Sequence, residues 1–129
     1  MKTVSCLITS SPEHALRMQE ALFTLRTFLS AGHAINNVFF YQAGCANANG
    51  YLHVPSDEFN ANTAWREFSL EFNIPLLVCV SSAEKRGVID TALSHEYEAN
   101  GYNLHQPFEQ VGIGEFFTRL HDADKLVQF

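Results

Sequence analysis

The sequence predicts an α/β fold: a three-layer α/β/α sandwich around a mainly parallel central sheet of about five strands. Three observations carry that prediction. Apolar, β-rich runs alternate along the chain with stretches whose apolar residues recur at helical spacing, and parallel strands need such crossovers. Leu76 to Val80 is a continuous apolar run, the pattern of a strand covered on both faces. The length, 129 residues, suits one domain spanning residues 1–129, and neither repeats nor a linker divide it.

Residues 2–9, with Val4, Leu7 and Ile8, read as the first strand. Ser10-Ser11-Pro12-Glu13 reads as a helix start, with Ser11 as N-cap, Pro12 at the first helical position and an acid in the first turn. Met18, Ala21, Leu22, Leu25, Phe28 and Leu29 then form one apolar stripe, which Gly32 closes. Ile35 to Tyr41, β-branched and aromatic, is the second strand. Gln42 to Pro55 reads as a polar loop longer than packing requires, and long loops in compact domains are often functional. Ser56-Asp57-Glu58 is expected to open a second helix whose buried stripe is Ala61, Ala64, Trp65, Phe68 and Phe72, ended by Asn73 and Pro75.

The stretch Ile74 to Gly87 organises the rest. Its apolar strand delivers Cys79 to the strand end, and Ser81 with Glu84 forms a capping-box pattern, so a helix is expected to start just beyond the cysteine. Val88 to Ala99 is read as holding another helix, Tyr102 to Val111 a short strand, and Gly112 to His121 a last helix with Phe116, Phe117 and Leu120 inward. Lys125 to Phe129 is the final strand.

Composition narrows the function. Hydrophobic residues are 47% and charged residues 17%, a globular balance. Eleven phenylalanines beside eight Lys and Arg point to apolar surface covered by another subunit. A net charge of −6 without a basic stripe disfavours direct nucleic-acid binding. The N-terminus is too quickly polar for a signal peptide, and no apolar run approaches the roughly 18 residues of a membrane span. Cysteines at 6, 45 and 79 show no disulfide-framework spacing, so a protein of the reducing cytoplasm is expected.

In parallel sheets, chemistry gathers beyond the carboxyl ends of the strands. Thr9-Ser10, the Cys45 loop and Cys79 all reach that edge. Cys79, at a strand end and beside the positive end of a helix dipole, is where a thiolate would be stabilised. The competing reading is an inert buried cysteine. Lys85 and Arg86 add positive charge nearby, and Glu84 offsets part of it. Cys45 reads as an incidental exposed thiol in a flexible loop, and Cys6 as strand core. The histidines at 14, 33, 53, 95, 105 and 121 show no i, i+4 pair, so no metal site is expected. A Cys–His hydrolase would need His53 or His105 brought to Cys79 by the fold. Thr9 to Glu13 offers hydroxyls for a phosphate, as a flavodoxin-like ligand-binding module would, but lacks glycine for close approach.

Val38-Phe39-Phe40-Tyr41-Gln42-Ala43-Gly44, Asn47-Ala48-Asn49, Ser56-Asp57-Glu58, Val78-Cys79-Val80, Arg86-Gly87-Val88-Ile89-Asp90 and Leu126-Val127-Gln128-Phe129 together resemble the DsrE/TusD family of small sulfur-relay proteins. The resemblance implies a sandwich of the DsrEFH type and makes Cys79 the catalytic residue of a sulfurtransferase. It implies a heterohexamer with two homologous subunits, TusB-like and TusC-like. It also implies a TusA-like persulfide donor and a TusE-like acceptor for 2-thiolation of the tRNA wobble uridine, with no cofactor. Asn47-Ala48-Asn49 and Val127-Gln128-Phe129 look closer to the tRNA branch than to the homologous complex of dissimilatory sulfur oxidation. A non-catalytic assembly subunit is the other alternative. A second thiol within reach of a persulfide would waste its sulfur, so a relay protein is expected to keep the sulfurs of Cys45 and Cys79 out of bonding reach.

Overall fold

The computed structural model describes the whole chain, Met1–Phe129. Five parallel strands form one sheet: β1 (Thr3–Ile8), β2 (Ala34–Phe40), β3 (Leu76–Cys79), β4 (Phe108–Val111) and β5 (Lys125–Gln128), in the order β4-β3-β2-β1-β5. The crossovers carry α1 (Ala15–Ser30), a 3-10 helix (Gln42–Ala48), α2 (Ala61–Phe72), α3 (Val80–Glu84), α4 (Thr91–Glu96) and α5 (Ile113–His121). The expected α/β sandwich forms, with every strand pair parallel.

Adjacent residues on β2 show why both faces are covered. Successive side chains on a strand point to opposite faces. Phe40 packs edge-on against Trp65 of α2, with ring centroids 5.3 Å apart, and Phe39 packs against Phe116 of α5 at 5.0 Å. Each such ring, fully buried, contributes about 1.5–3 kcal/mol over leaving it exposed. The chain steps from β1 to β4 toward one edge, then α5 carries it back beyond β1 to β5. Right-handed crossovers place α1 and α2 on one face and α5 on the other. The α5 face also buries a polar pair: the Ser5 hydroxyl donates to Asn37 Oδ1 at 2.7 Å, joining β1 to β2.

Three helix starts and one side chain differ from the expectations. Ser11 does not cap α1. Its hydroxyl accepts from the Glu13 N–H at 3.3 Å, and its carbonyl from the His14 N–H, making a local turn. The N–H groups of Thr9 and Ser10 both donate to the Phe129 carbonyl, which keeps the chain running beyond the sheet before α1 begins at Ala15. Ser56 to Glu58 is likewise a turn; Asn60 is the N-cap of α2, its Oδ1 accepting from the Thr63 N–H at 3.1 Å. The third start, at α3, belongs to the site. Phe116 points inward, but Phe117 is 61% exposed, because one face of α5 meets the sheet and its neighbour on the helix turns away.

The stops are as expected. Gly32 has φ +88°, and the pair Gly32 N–H to Leu29 carbonyl and His33 N–H to Phe28 carbonyl closes α1 as a Schellman motif. Asn73, at φ 55°, ends α2.

Candidate active site

β3 is an inner strand whose four residues, Leu76 to Cys79, are all buried. Its register pairs Phe40 with Val78 on one side and Cys79 with Val111 on the other. Cys79 therefore ends an anchored strand at the carboxyl edge of the sheet, 3% exposed. The helix starts two residues earlier than the capping-box pattern implies. Cys79 itself occupies the N-cap position of α3, with φ −63° and ψ 115°, and Ser81 lies exposed inside the helix without capping it. The capping box is not made, and the Glu84 carboxylate accepts from the Tyr97 hydroxyl instead. The Cys79 sulfur thus springs from the residue that precedes the first turn, where backbone N–H groups lack intrahelical partners.

Cys45 overturns its expectation. It sits in the 3-10 helix Gln42–Ala48, not in a flexible loop, and is fully buried. Its thiol donates to the Phe40 carbonyl at 3.3 Å and lies 3.8 Å from the carbonyl oxygen of Cys79. Burial, with the charge of Cys79 added, pushes its pKa up to about 12, against the pull of the Arg86 guanidinium and of the Cys79 backbone. Cys6, in the core of β1 as expected, is pushed up by burial alone. All three cysteines are free thiols, so no bond joins Cys45 to Cys79.

The 3-10 helix is pressed onto the strand ends. A Cβ on Gly44 would collide with the Ile8 carbonyl, so only glycine fits there. Asn47, fully buried, donates from Nδ2 to the carbonyls of Ser10 at 3.1 Å and Gly44 at 2.9 Å. Its own carbonyl accepts from Asn62 Nδ2 of α2 at 2.9 Å. One asparagine thus ties the turn after β1, the 3-10 helix and α2 together beside the two thiols. In the sequence Asn47 is legible only as part of a pattern; the signal it offers is a polar residue between two alanines in a segment that otherwise reads as loop.

The far side of the site is held as tightly. Arg86 Nη1 donates to the Ser82 carbonyl at 3.1 Å, folding the side chain back along α3. Gly87, at φ +72°, turns the chain out of the helix. Asn103 then accepts from the Ile89 N–H and donates to the Gly87 carbonyl, while Gln110 of β4 accepts from the Asp90 N–H and donates to the Val88 carbonyl. Lys85 is exposed. Glu84 accepts from the Tyr97 hydroxyl at 3.3 Å, and its charge pushes the phenol pKa up.

No histidine hydrogen-bonds to Cys79. His105 instead packs beside Tyr51 and Tyr102. The phosphate option at Thr9–Ser10 is met by the chain itself, since both N–H groups point at the Phe129 carbonyl. No group of three or more His, Cys, Asp or Glu residues stands close enough to share a metal ion. The largest cavity, about 610 Å³, lies between α4, residues 102–106 and β4, and Cys79 does not line it.

A doubly covered parallel sheet whose inner strand ends in a cysteine, backed by a buried polar turn, defines an α/β/α domain that presents one thiol at its carboxyl edge. Likeness to known proteins narrows that class. The DsrE/DsrF-like family matches residues 2–129, and the chain belongs to it. It is 34% identical over 130 residues to the sulfurtransferase TusD of Proteus mirabilis, covering all of both chains. It is 37% identical over 102 residues to the sulfurtransferase TusD homolog of Pasteurella multocida, covering 79% of each chain. Among solved structures, the ychN protein from E. coli superposes over the whole of both chains with a TM-score of 0.73 at 16% identity, a likeness of fold.

Proposed function

We propose that the protein is a sulfurtransferase that carries sulfur on Cys79. The observation that carries the reading is the placement of Cys79 at the N-cap of α3, on the carboxyl edge, in a chain whose full-length relatives are named sulfurtransferase TusD or sulfurtransferase TusD homolog. The Cys79 thiolate attacks the outer sulfur of a donor's cysteine persulfide. A new S–S bond forms on Cys79, the donor's S–S bond breaks, and the donor leaves as a thiolate. The acceptor's thiolate then attacks the outer sulfur of the Cys79 persulfide, and Cys79 leaves as a thiolate. Each step is thiol exchange at sulfur, with no net oxidation.

In this reading the donor is TusA-like, the acceptor TusE-like, and the sulfur ends on the wobble uridine of tRNA. The Asn47-Ala48-Asn49 and Val127-Gln128-Phe129 sequence patterns are what the tRNA branch rests on. The heterohexamer with TusB-like and TusC-like subunits draws support from apolar side chains left outward, Leu16, Phe23, Leu70 and Phe117 among them. Replacing Cys79→Ser in cells is expected to abolish 2-thiouridine in tRNA, read by nucleoside mass spectrometry. Undiminished 2-thiouridine would assign the chain to assembly instead.

A further inference from the structure

The two thiols at the carboxyl edge stand in unequal positions. Cys79 ends its strand beside the surface, whereas Cys45 is fully enclosed, its thiol within hydrogen-bonding reach of two carbonyls that share its one proton, that of Phe40 at the end of β2 at 3.3 Å and that of Cys79 at 3.8 Å. That second carbonyl belongs to the peptide from which α3 starts, so whatever fixes it also fixes the backbone from which the Cys79 side chain leaves. The 3-10 helix that holds Cys45 cannot drift, because Gly44 is jammed against Ile8 and Asn47 is tied to Ser10 and α2.

We propose that Cys45 is a positioning residue: its thiol, held as a proton donor between the ends of β2 and β3, orients the Cys79 peptide for sulfur transfer and is thereby kept from attacking the sulfur that Cys79 carries. The inference rests on the sulfurtransferase reading of Cys79. The reaction it suppresses is attack of Cys45 sulfur on the inner sulfur of a Cys79 persulfide. That attack would form a Cys45–Cys79 disulfide, break the persulfide bond and release hydrosulfide, with the outer sulfur reduced as the two cysteines are oxidised. Burial, which keeps Cys45 protonated, works in the same direction.

The test uses the full chain, in complex with its partner subunits where these are needed for folding, and a small-molecule persulfide donor such as cysteine persulfide. Wild type, Cys45→Ser, Cys45→Ala and Cys79→Ser are compared by intact mass, by the rate of sulfur gain and by sulfide released, with thermal unfolding recorded for each. Wild type is expected to gain one sulfur and hold it without forming a disulfide. Cys45→Ala is expected to load about fivefold more slowly, the equivalent of one neutral hydrogen bond. Cys45→Ser, which keeps a donor, is expected to restore loading to near wild type even if it unfolds at a lower temperature. Equal loading rates in wild type, Cys45→Ser and Cys45→Ala would overturn the positioning role. A disulfide with matching sulfide release in wild type, absent from Cys45→Ser, would show Cys45 to be a resolving cysteine and overturn the guarding role. A failure of the sulfurtransferase reading looks different: no variant, wild type included, would gain sulfur.

Discussion

At the residue scale, the chain contains three cysteines in three environments. Cys6 is sealed between β1's neighbours, Cys45 is sealed under the strand ends, and Cys79 has a narrow opening to solvent. A small thiol reagent at neutral pH is expected to modify Cys79 well ahead of the other two, with all three reacting once the chain is denatured. Mass mapping that finds Cys45 modified first would contradict the placement. The raised pKa of Cys45 has a consequence for stability. Its stabilising effect is fully present below the unfolded value, 9.0, and is lost as pH climbs toward about 12, because the unfolded chain gives up the proton first. Over that window this thiol costs up to about 1.4 kcal/mol of stability per pH unit. Urea unfolding between about pH 8 and about pH 10.5 is expected to show a steeper loss in wild type than in Cys45→Ser.

Cys79 is legible as a candidate site in the amino-acid sequence because three local signals coincide there: an apolar run, its end, and a helix start. Cys45 is not. Polar and small neighbours make Gln42 to Gly50 look like a solvated loop, whereas the fold buries it through one glycine that permits close approach and one asparagine whose amide replaces the missing strand partners.

At the element scale, the helix starts show the same limit. Ser11-Pro12-Glu13 and Ser56-Asp57-Glu58 carry good capping chemistry, yet both form turns, and α1 and α2 begin later. Tertiary hydrogen bonds overrule local propensity, most plainly those from Thr9 and Ser10 to Phe129. The strands are legible because their signal is burial, which tertiary structure reinforces. Even the short β4 falls inside the range that the sequence pattern indicates, at Phe108–Val111. The 3-10 helix Gln42–Ala48 is the element on which the site depends most. Gly44→Ala is expected to lift it off β1, at a cost of about 2 kcal/mol or more from overpacking. Urea denaturation measures the cost, and slower sulfur loading on Cys79 would accompany it. An unchanged midpoint would mean that the close approach to Ile8 is not required.

At the scale of the whole molecule, the sandwich is unevenly clad. α1 and α2 pack over one face and are tied by the Arg26–Glu71 ion pair at 3.0 Å, while α5 is the long helix of the other. β4 and β5 are open edges, and Leu16, Phe23, Leu70 and Phe117 face outward. The abundance of phenylalanine in the composition is therefore divided. Phe39, Phe40, Phe68 and Phe108 build the core, and Phe23 and Phe117 remain for neighbours. Sedimentation of the chain mixed with the TusB-like and TusC-like subunits proposed for it is expected to give one large complex, which Leu16→Glu with Phe23→Glu would weaken without unfolding the chain. If the chain sediments as a monomer even with those subunits present, this face has no such role.

The role of Cys79 as sulfur carrier underlies everything proposed for the site, and intact mass tests it directly. After incubation with a persulfidated donor protein, the chain, together with the proposed partner subunits, is expected to gain the mass of one sulfur. That gain is expected to vanish on treatment with a reductant and in Cys79→Ser. No gain in wild type, or a gain that survives in Cys79→Ser, would contradict that role.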